Sequence, residues 1–493
     1  MRGEKGFTII EAILAMGLFA LVVGSGVAVA GRAFLTNRLG EEETYANFLA
    51  TEGIEAVRAI AARDYLSLIS GSYGLSSNNG FWEFWGASNS FGKFTRTVVV
   101  SDVFRDSNQN IITSGGSLDP FTKRVEVLVT WNFSPGRSNS VSLKTYFTDF
   151  QGSSGSGGDL GCRGVSGDWR NPVTLGSIDL GPGNQPTGLD VKQKIVYLSA
   201  QASAAAKPDF FIVDATDGQR PFVRASLNTG SGTNAVDTAG NYAYLANNAT
   251  SSQLQVIDVT NLSRPELVSA LSLPGVSGSG AVGLSVFFYN SKIYVGTRKA
   301  TGPEFHVIDV SNPLNPVPLG SREINADVNA ITVSQTTAYL ATSDSQELKI
   351  LDVSDPAAIS SVGGFDAPGN SELGKSLNLV GTTLYLGRTV GGNHLNHHEF
   401  HILDVSNPAS VVNLGSKDIA ADVNGIVVCE NLAFLATSDP NKEFQAWNVA
   451  DPANITLWSL FNFPQAGSGI DFEGNFVYVA VRSNDALRII TSR

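Results

Sequence analysis

Four of the chain's five histidines fall in one stretch, Gly392-Asn393-His394-Leu395-Asn396-His397-His398-Glu399-Phe400-His401. Neutral imidazoles at His394, His397, His398 and His401 have spacings that could hold zinc or copper. Against that, His401 takes the place in a recurring phrase that His306 takes elsewhere, as an ordinary strand residue beside a solvated loop would. Asp214, Asp258, Asp309, Asp352 and Asp404 recur at one position of successive repeats, so a turn or inter-repeat hydrogen bond accounts for them before catalysis does. Asn234, Asp327, Asn329, Asp422 and Asn424 fall at or just before innermost strands and should ring one mouth of a channel, as ligand-binding candidates or as turn formers. Asp106-Ser107-Asn108-Gln109-Asn110 alternates oxygen side chains as a calcium loop does but lacks the glycine and closing glutamate of an EF-hand, so calcium and a hairpin turn both fit it. Cys162 and Cys429 allow at most one disulfide, which would suit an extracellular protein and tie down the start of its domain. With no Ser-His-Asp order, phosphate loop or nucleotide fingerprint, the chain reads as a non-enzyme that needs no cofactor beyond calcium or zinc.

The rest of the composition agrees. Lys plus Arg number 33 against 45 Asp plus Glu, a net charge of −12 over 493 residues, with 16% charged and 42% hydrophobic. So few cations exclude nucleic acid as the main partner, since that affinity rests on neutralising phosphates. The 51 glycines, among short Val, Ile and Tyr runs, point to strands joined by tight turns and a mainly β chain.

The N-terminus is different. Arg2 and Lys5 precede Ala12–Gly31, twenty residues without a charge, long enough to span a bilayer and oriented with the N-terminus in the cytoplasm. A cleaved signal peptide is the competing reading, with Ala28-Val29-Ala30 as its site. Glu11 lies at the edge of this apolar stretch, and a carboxylate carried into a membrane needs a partner. Beyond Arg32, Tyr45, Leu49, Ile54, Val57 and Ile60 alternate with charges in an amphipathic pattern, so one helix about 85 Å long is expected over 7–63, with Gly40 and Gly53 as points where it could bend.

Gly6-Phe7-Thr8-Ile9-Ile10-Glu11, set between a short basic leader and a long apolar helix, resembles the processing site of type IV prepilins and pseudopilins. The resemblance implies that a prepilin peptidase cuts after Gly6, that Phe7 becomes an N-methylated first residue, and that Glu11 pairs with the terminal amine of a neighbouring pilin subunit. Strands at Phe94–Val100, Arg124–Trp131 and Val141–Phe147 then give an antiparallel meander covered by the helix, like a pilin head. Gly152 to Gly158 is a flexible Gly/Ser linker.

After the linker the chain repeats. FFIVDATD, LQVIDVTN, FHVIDVSN, LKILDVSD, FHILDVSN, FQAWNVAD and LRIITSR succeed one another at spacings of 44, 51, 43, 52, 44 and 43. A period of about 40–50 with roughly four strands per unit implies a β-propeller. The last copy lacks a fourth strand, and Val173–Leu180 (VTLGSIDL) matches the fourth strands VPLGSREI and VNLGSKDI well enough to complete it. The phrase resembles the LVIVD repeat of bacterial surface-associated propellers.

The expected organisation is a leader over 1–6, an assembly helix over 7–63, a pilin-like β head over 64–150, a linker over 151–160, and a seven-bladed β-propeller over 161–493 closed by an N-terminal strand. These features describe a minor type IV pilin or pilin-like protein that passes from the cytoplasmic membrane to the cell surface or pilus. There its propeller would adhere to a surface glycan or protein; the alternative is a structural or priming pseudopilin in pilus or secretion-apparatus assembly.

Overall fold

The computed structural model describes residues 9–63, 65, 68–78, 81–105, 111–112, 117–134, 136–148, 165–202, 206–369, 372–391 and 397–493. The chain forms two compact units, Met1–Phe150 and Gln151–Arg493.

In the first unit one uninterrupted helix runs from Ile9 to Arg63. Its N-terminal half keeps Ile9, Leu14, Phe19, Val22, Val29 and Phe34 exposed, and it is long and apolar enough to cross a membrane. Its C-terminal half buries Ala46, Leu49, Ala50, Ile54, Val57 and Ile60 against Val98, Val100, Val125, Val127 and Trp131 of an antiparallel sheet. Tyr45, expected on the buried stripe, is 45% exposed; its ring meets the edge of Phe94 instead. Gly53 faces the sheet closely: a Cβ there would lie 2.8 Å from Val127 Cγ1. The main strands are Phe94–Arg105, Ser117–Ser134 and Arg137–Thr148, longer than their apolar cores suggest. Backbone pairing carries Ser, Asn and Lys residues into the ladder beyond the stretch that hydrophobicity marks. Arg96, 1% exposed, ties sheet to helix through Glu52 at 2.7 Å and the Leu49 carbonyl at 3.2 Å.

The second unit consists of four-stranded antiparallel sheets, numbered here 1 to 7 in order of their first strands: Asn184–Lys192, Thr233–Ala239, Gly283–Tyr289, Val328–Ser334, Gly374–Val380, Val423–Cys429 and Gly467–Glu473. Sheet 4 shows the pattern, Val328–Ser334, Thr337–Thr342, Leu348–Asp352 and Ser360–Phe365 pairing in chain order. In sheet 7 the outermost strand is Val173–Asp179, with Thr491 opposite Val173 and Asp485 opposite Asp179. Each first strand lies beside those of the preceding and following sheets, and Gly467–Glu473 lies beside Asn184–Lys192, which closes a ring.

Two sequence features explain how the sheets nest. Buried Val, Ile, Leu and Phe side chains of the second and third strands fill the layers between sheets. The glycine of the fourth-strand LGS pattern lies against the following sheet: a Cβ on Gly320 would fall 1.6 Å from the Pro356 carbonyl oxygen, and one on Gly415 1.8 Å from that of Pro452. Gly176 repeats the contact with the Gly218 carbonyl, at 2.3 Å, so the strand from the start of the unit seats sheet 7 on sheet 1 as the others are seated.

Candidate ligand-binding mouth

Every first strand bulges at the same place, near its own start and opposite the end of its antiparallel partner. A bulge turns one extra residue out of the ladder and re-aims its side chain. Asn234, Asn329 and Asn424 are the bulged residues of sheets 2, 4 and 6. Their Nδ2 groups donate to the carbonyls of Gly283, Gly374 and Gly467 on the next sheet at 2.6, 2.8 and 2.7 Å. Hydroxyls do the same from the remaining sheets. Thr187 donates to the Thr233 carbonyl, Ser285 to Val328, Ser376 to Val423 and Ser468 to Pro186, at 2.7 to 2.8 Å. Side-chain donors therefore stitch each sheet to its successor all the way round, always to the residue just before the bulge. Asn424 Oδ1 is buried with no hydrogen-bond partner among the described residues, and Asn234 Oδ1 accepts from Gln201 at 3.4 Å.

Asp327 and Asp422 precede the first strands of sheets 4 and 6. They hold the loops that rise between the second and third strands of sheets 3 and 5: Asp327 Oδ1 accepts from the Lys299 backbone at 2.8 Å, and Asp422 Oδ1 from Val390 at 2.9 Å. The other oxygen of Asp422 pairs with Lys375 Nζ at 2.8 Å. The five mouth candidates thus come together at one end of the ring, with much of their hydrogen bonding spent on holding it. The chain enters this unit at the opposite end, where Trp169 packs on Phe434 and Phe472 and donates to Asn475 in the turn between the first two strands of sheet 7.

The described histidines of this stretch do not converge. His397 Nδ1 lies 2.8 Å from Glu372, His398 Nδ1 lies 2.7 Å from Ser416 Oγ, and His401 Nε2 lies 2.9 Å from the His398 carbonyl. Burial, with Arg388 adding to it, lowers His401 to about 4, and burial lowers the equivalent His306 to about 4. Both are neutral strand residues. Among the described residues no group of three or more His, Cys, Asp or Glu is placed to hold a metal. His394 lies outside the described residues, as do Gly6, Phe7, Asp106 to Asn110, Cys162 and the Glu11 side chain. Cys429 is fully buried and disulfide-bonded.

Asp214, Asp258, Asp309, Asp352 and Asp404 each accept the backbone N–H two residues on, at 2.8 to 3.0 Å, and shape the loop to the fourth strand. A second row went unread. The residue just before the repeat phrase is Asp209, Gln253, Glu304, Glu347, Glu399 and Glu443 in successive copies, and each is buried. Each accepts a backbone N–H twenty residues later, from Thr229, Leu273, Ile324, Ala367, Ile419 and Phe463, so it fastens the start of the crossover to the next sheet. Burial pushes the carboxyls of Glu304, Glu347 and Glu399 up. The signal is an acid or amide at the same place in six consecutive copies. Midway along the inner strands, Asp190, Asp237 and Asp471 likewise accept from Thr238, Phe288 and Val191 on the following sheet.

The LVIVD repeat family matches at residues 232–272, 326–367, 396–418 and 467–490, so LVIVD repeats are present in this chain. No curated protein matches it. Among solved structures it is similar to virginiamycin B lyase from Staphylococcus aureus, at 12% identity over 66% of this chain and 99% of that one, with a TM-score of 0.49. It is also similar to the WD40 β-propeller domain of Doa1, at 12% identity over 66% and 97% of the two chains, with a TM-score of 0.47, and to the computationally designed Ika8 protein, at 12% over 64% and 98%, with a TM-score of 0.44.

Proposed function

We propose that this is a minor type IV pilin or pilin-like protein whose second unit is a seven-bladed β-propeller displayed for adhesion, a binding protein rather than an enzyme. The reading of the first unit rests on Gly6 to Glu11 and on one helix that is exposed and apolar at its start and covers an antiparallel sheet at its end. Processing after Gly6, methylation of Phe7 and pairing of Glu11 with a neighbouring subunit belong to this proposal, as does passage from the cytoplasmic membrane to the cell surface. A disulfide between Cys429 and Cys162 belongs to it too and suits that location.

The observation that carries the binding role is the placement of the mouth. Asn234, Asn329 and Asn424, with the long loops of sheets 3 and 5, lie at the end of the ring opposite Trp169, where the chain arrives. A rim of asparagines, aspartates and loops at one end of the ring suits a hydroxyl-rich glycan or a protein backbone. The test is to delete residues 165–493 in the native host. Adhesion requires that fibres persist while attachment is lost. Loss of the fibres themselves, in this strain or in Glu11→Ala, would favour the assembly role instead, and intact attachment would sink the adhesion reading.

A further inference from the structure

The apolar stretch of the long helix ends at Gly31, and Arg32 follows. The twenty residues from Ala12 to Gly31, at about 1.5 Å each, match a hydrocarbon layer about 30 Å thick, beyond which a headgroup layer adds roughly 5–8 Å. Arg38 stands seven residues past Gly31, roughly 10 Å along the axis. The sheet of the first unit reaches down to the same level. Trp131 Nε1 donates to Glu42 Oε2 at 2.9 Å, and the strands Ser117–Ser134 and Arg137–Thr148 continue past that point to their last pair, Ser134 with Arg137. Phe133 lies in this overhang, half-buried, with two guanidiniums over its ring. That of Arg38 is 5.7 Å from the ring centroid and that of Arg137 is 5.4 Å.

The ring attracts each cation, but two cations held on one ring repel each other unless an anion joins them. Arg38 has Glu42 at 3.2 Å, a carboxylate it shares with Lys93. Arg137 is exposed and meets no carboxylate among the described residues. Residues 32–40 and 132–140 contain Arg32, Arg38 and Arg137 and not one Asp or Glu, in a chain whose net charge is −12. Both arginines of the pair lie at the surface, so neither charge serves the core.

We propose that Arg38 and Arg137, braced on Phe133, dock the first unit onto anionic phospholipid headgroups of the membrane that its helix spans. Guanidinium forks match phosphate oxygens two at a time, and their long stems let the heads reach a surface that the backbone does not touch. Side chains of a helix lean towards its N-terminus, which here is towards the membrane, so Arg38 inclines to the headgroups. The contact holds the sheet against the bilayer while the subunit is still in the membrane and is given up when the helix leaves it. It rests on the apolar stretch being a membrane span.

The test is hydrogen exchange of the full-length protein, one copy per nanodisc, in discs of phosphatidylglycerol and of phosphatidylcholine. Insertion is established first by co-elution with the discs. Amides of 132–134 and 136–138 should exchange about tenfold more slowly in phosphatidylglycerol, while those of 144–148, at the far end of the same strand, should not respond. Arg137→Gln leaves Glu42 its three partners, so the fold is kept, and most of the difference should vanish. Lys144→Gln, on the same strand but roughly 20 Å further from the bilayer, should retain it. Failure to insert would overturn the span and the contact together. Insertion with equal exchange in the two lipids, or a difference undiminished in Arg137→Gln, would overturn the contact alone. The same slowing in detergent with inorganic phosphate would overturn it too, by showing a site for free anions. Each result leaves the attachment experiment on the second unit unaffected.

Discussion

Gly320→Ala adds one methyl group where sheet 3 leans on sheet 4. The new Cβ would lie 1.6 Å from the Pro356 carbonyl oxygen, and real Cβ atoms do not approach closer than 3.0 Å, so the loop at Pro356 must retreat by about 1.4 Å. Overpacking by a methylene or so costs about 1–3 kcal/mol, and the upper part of that range applies because the atom struck is backbone and the loop is fixed by the Asp352 and Asp355 turns. Replacing glycine also restricts the unfolded chain, which returns about 0.4–1 kcal/mol. Gly320 has no left-handed backbone to protect, so no further strain enters. The net loss is about 2 kcal/mol. With an unfolding entropy of about 2.1 cal/mol/K per residue over a unit of roughly 340 residues, that lowers Tm by about 3 °C, readable by scanning calorimetry. Gly415→Ala should behave alike. The control is Ala225→Gly, at the matching place in sheet 1 where a methyl is already accommodated; it should cost only the backbone entropy, about 0.5–1 kcal/mol. A Gly320→Ala protein as stable as the native one would refute the claim that this glycine is required by the neighbouring sheet.

Asn329→Ala strands the Gly374 carbonyl and should cost about 1–3 kcal/mol in urea unfolding, with Ser376→Ala, one stitch further round, similar. His306 and His401, lowered to about 4 when folded, contribute stability that is complete above the ordinary histidine value near 6.5 and is lost as pH falls from there towards 4, at most roughly 3 kcal/mol each. His401→Gln should flatten the stability profile between those values, as midpoints measured at intervals of pH will show. Glu399 has the opposite sign: its folded carboxyl is pushed up, so its contribution is full below the ordinary glutamate value and declines as pH rises through the folded one, and Glu399→Gln should remove that decline from the same curve. Trp169→Ala should cost about 3–5 kcal/mol and release the lead-in segment to limited proteolysis.

The repeat phrase was legible because it is the third strand of each sheet, where both faces are buried and apolar residues predominate, as in Phe210–Asp214. The LGS pattern was legible for a different reason: Gly176, Gly320 and Gly415 are demanded by one inter-sheet contact, so the pattern persists even where the strand comes from the far end of the unit. The mouth asparagines could be placed at the inner strands, but their task could not be read, since a bulge is a matter of register and register leaves no mark on single residues. Glu304 and its counterparts escaped because a carboxylate beside a strand reads as solvent-facing until its distant backbone partner is known. The ion pairs of Arg388 join residues 347, 372 and 388, whose association depends on two sheets being neighbours.

The placement of Val173–Asp179 has a mechanical consequence. Its residue nearest the lead-in, Val173, lies opposite Thr491, two residues from the chain's last, Arg493. Traction applied at residue 165 and resisted at the mouth therefore runs along this strand, and the ladder to Asp485–Thr491 is loaded in shear, all of its bonds sharing the force. Trp169, wedged between Phe434 and Phe472, bears on sheets 6 and 7 before the strand is reached. Both ends of the ring are caught in one sheet, so a steady pull finds no loose strand to peel, and the rate of forced opening is set by the failure of a whole ladder.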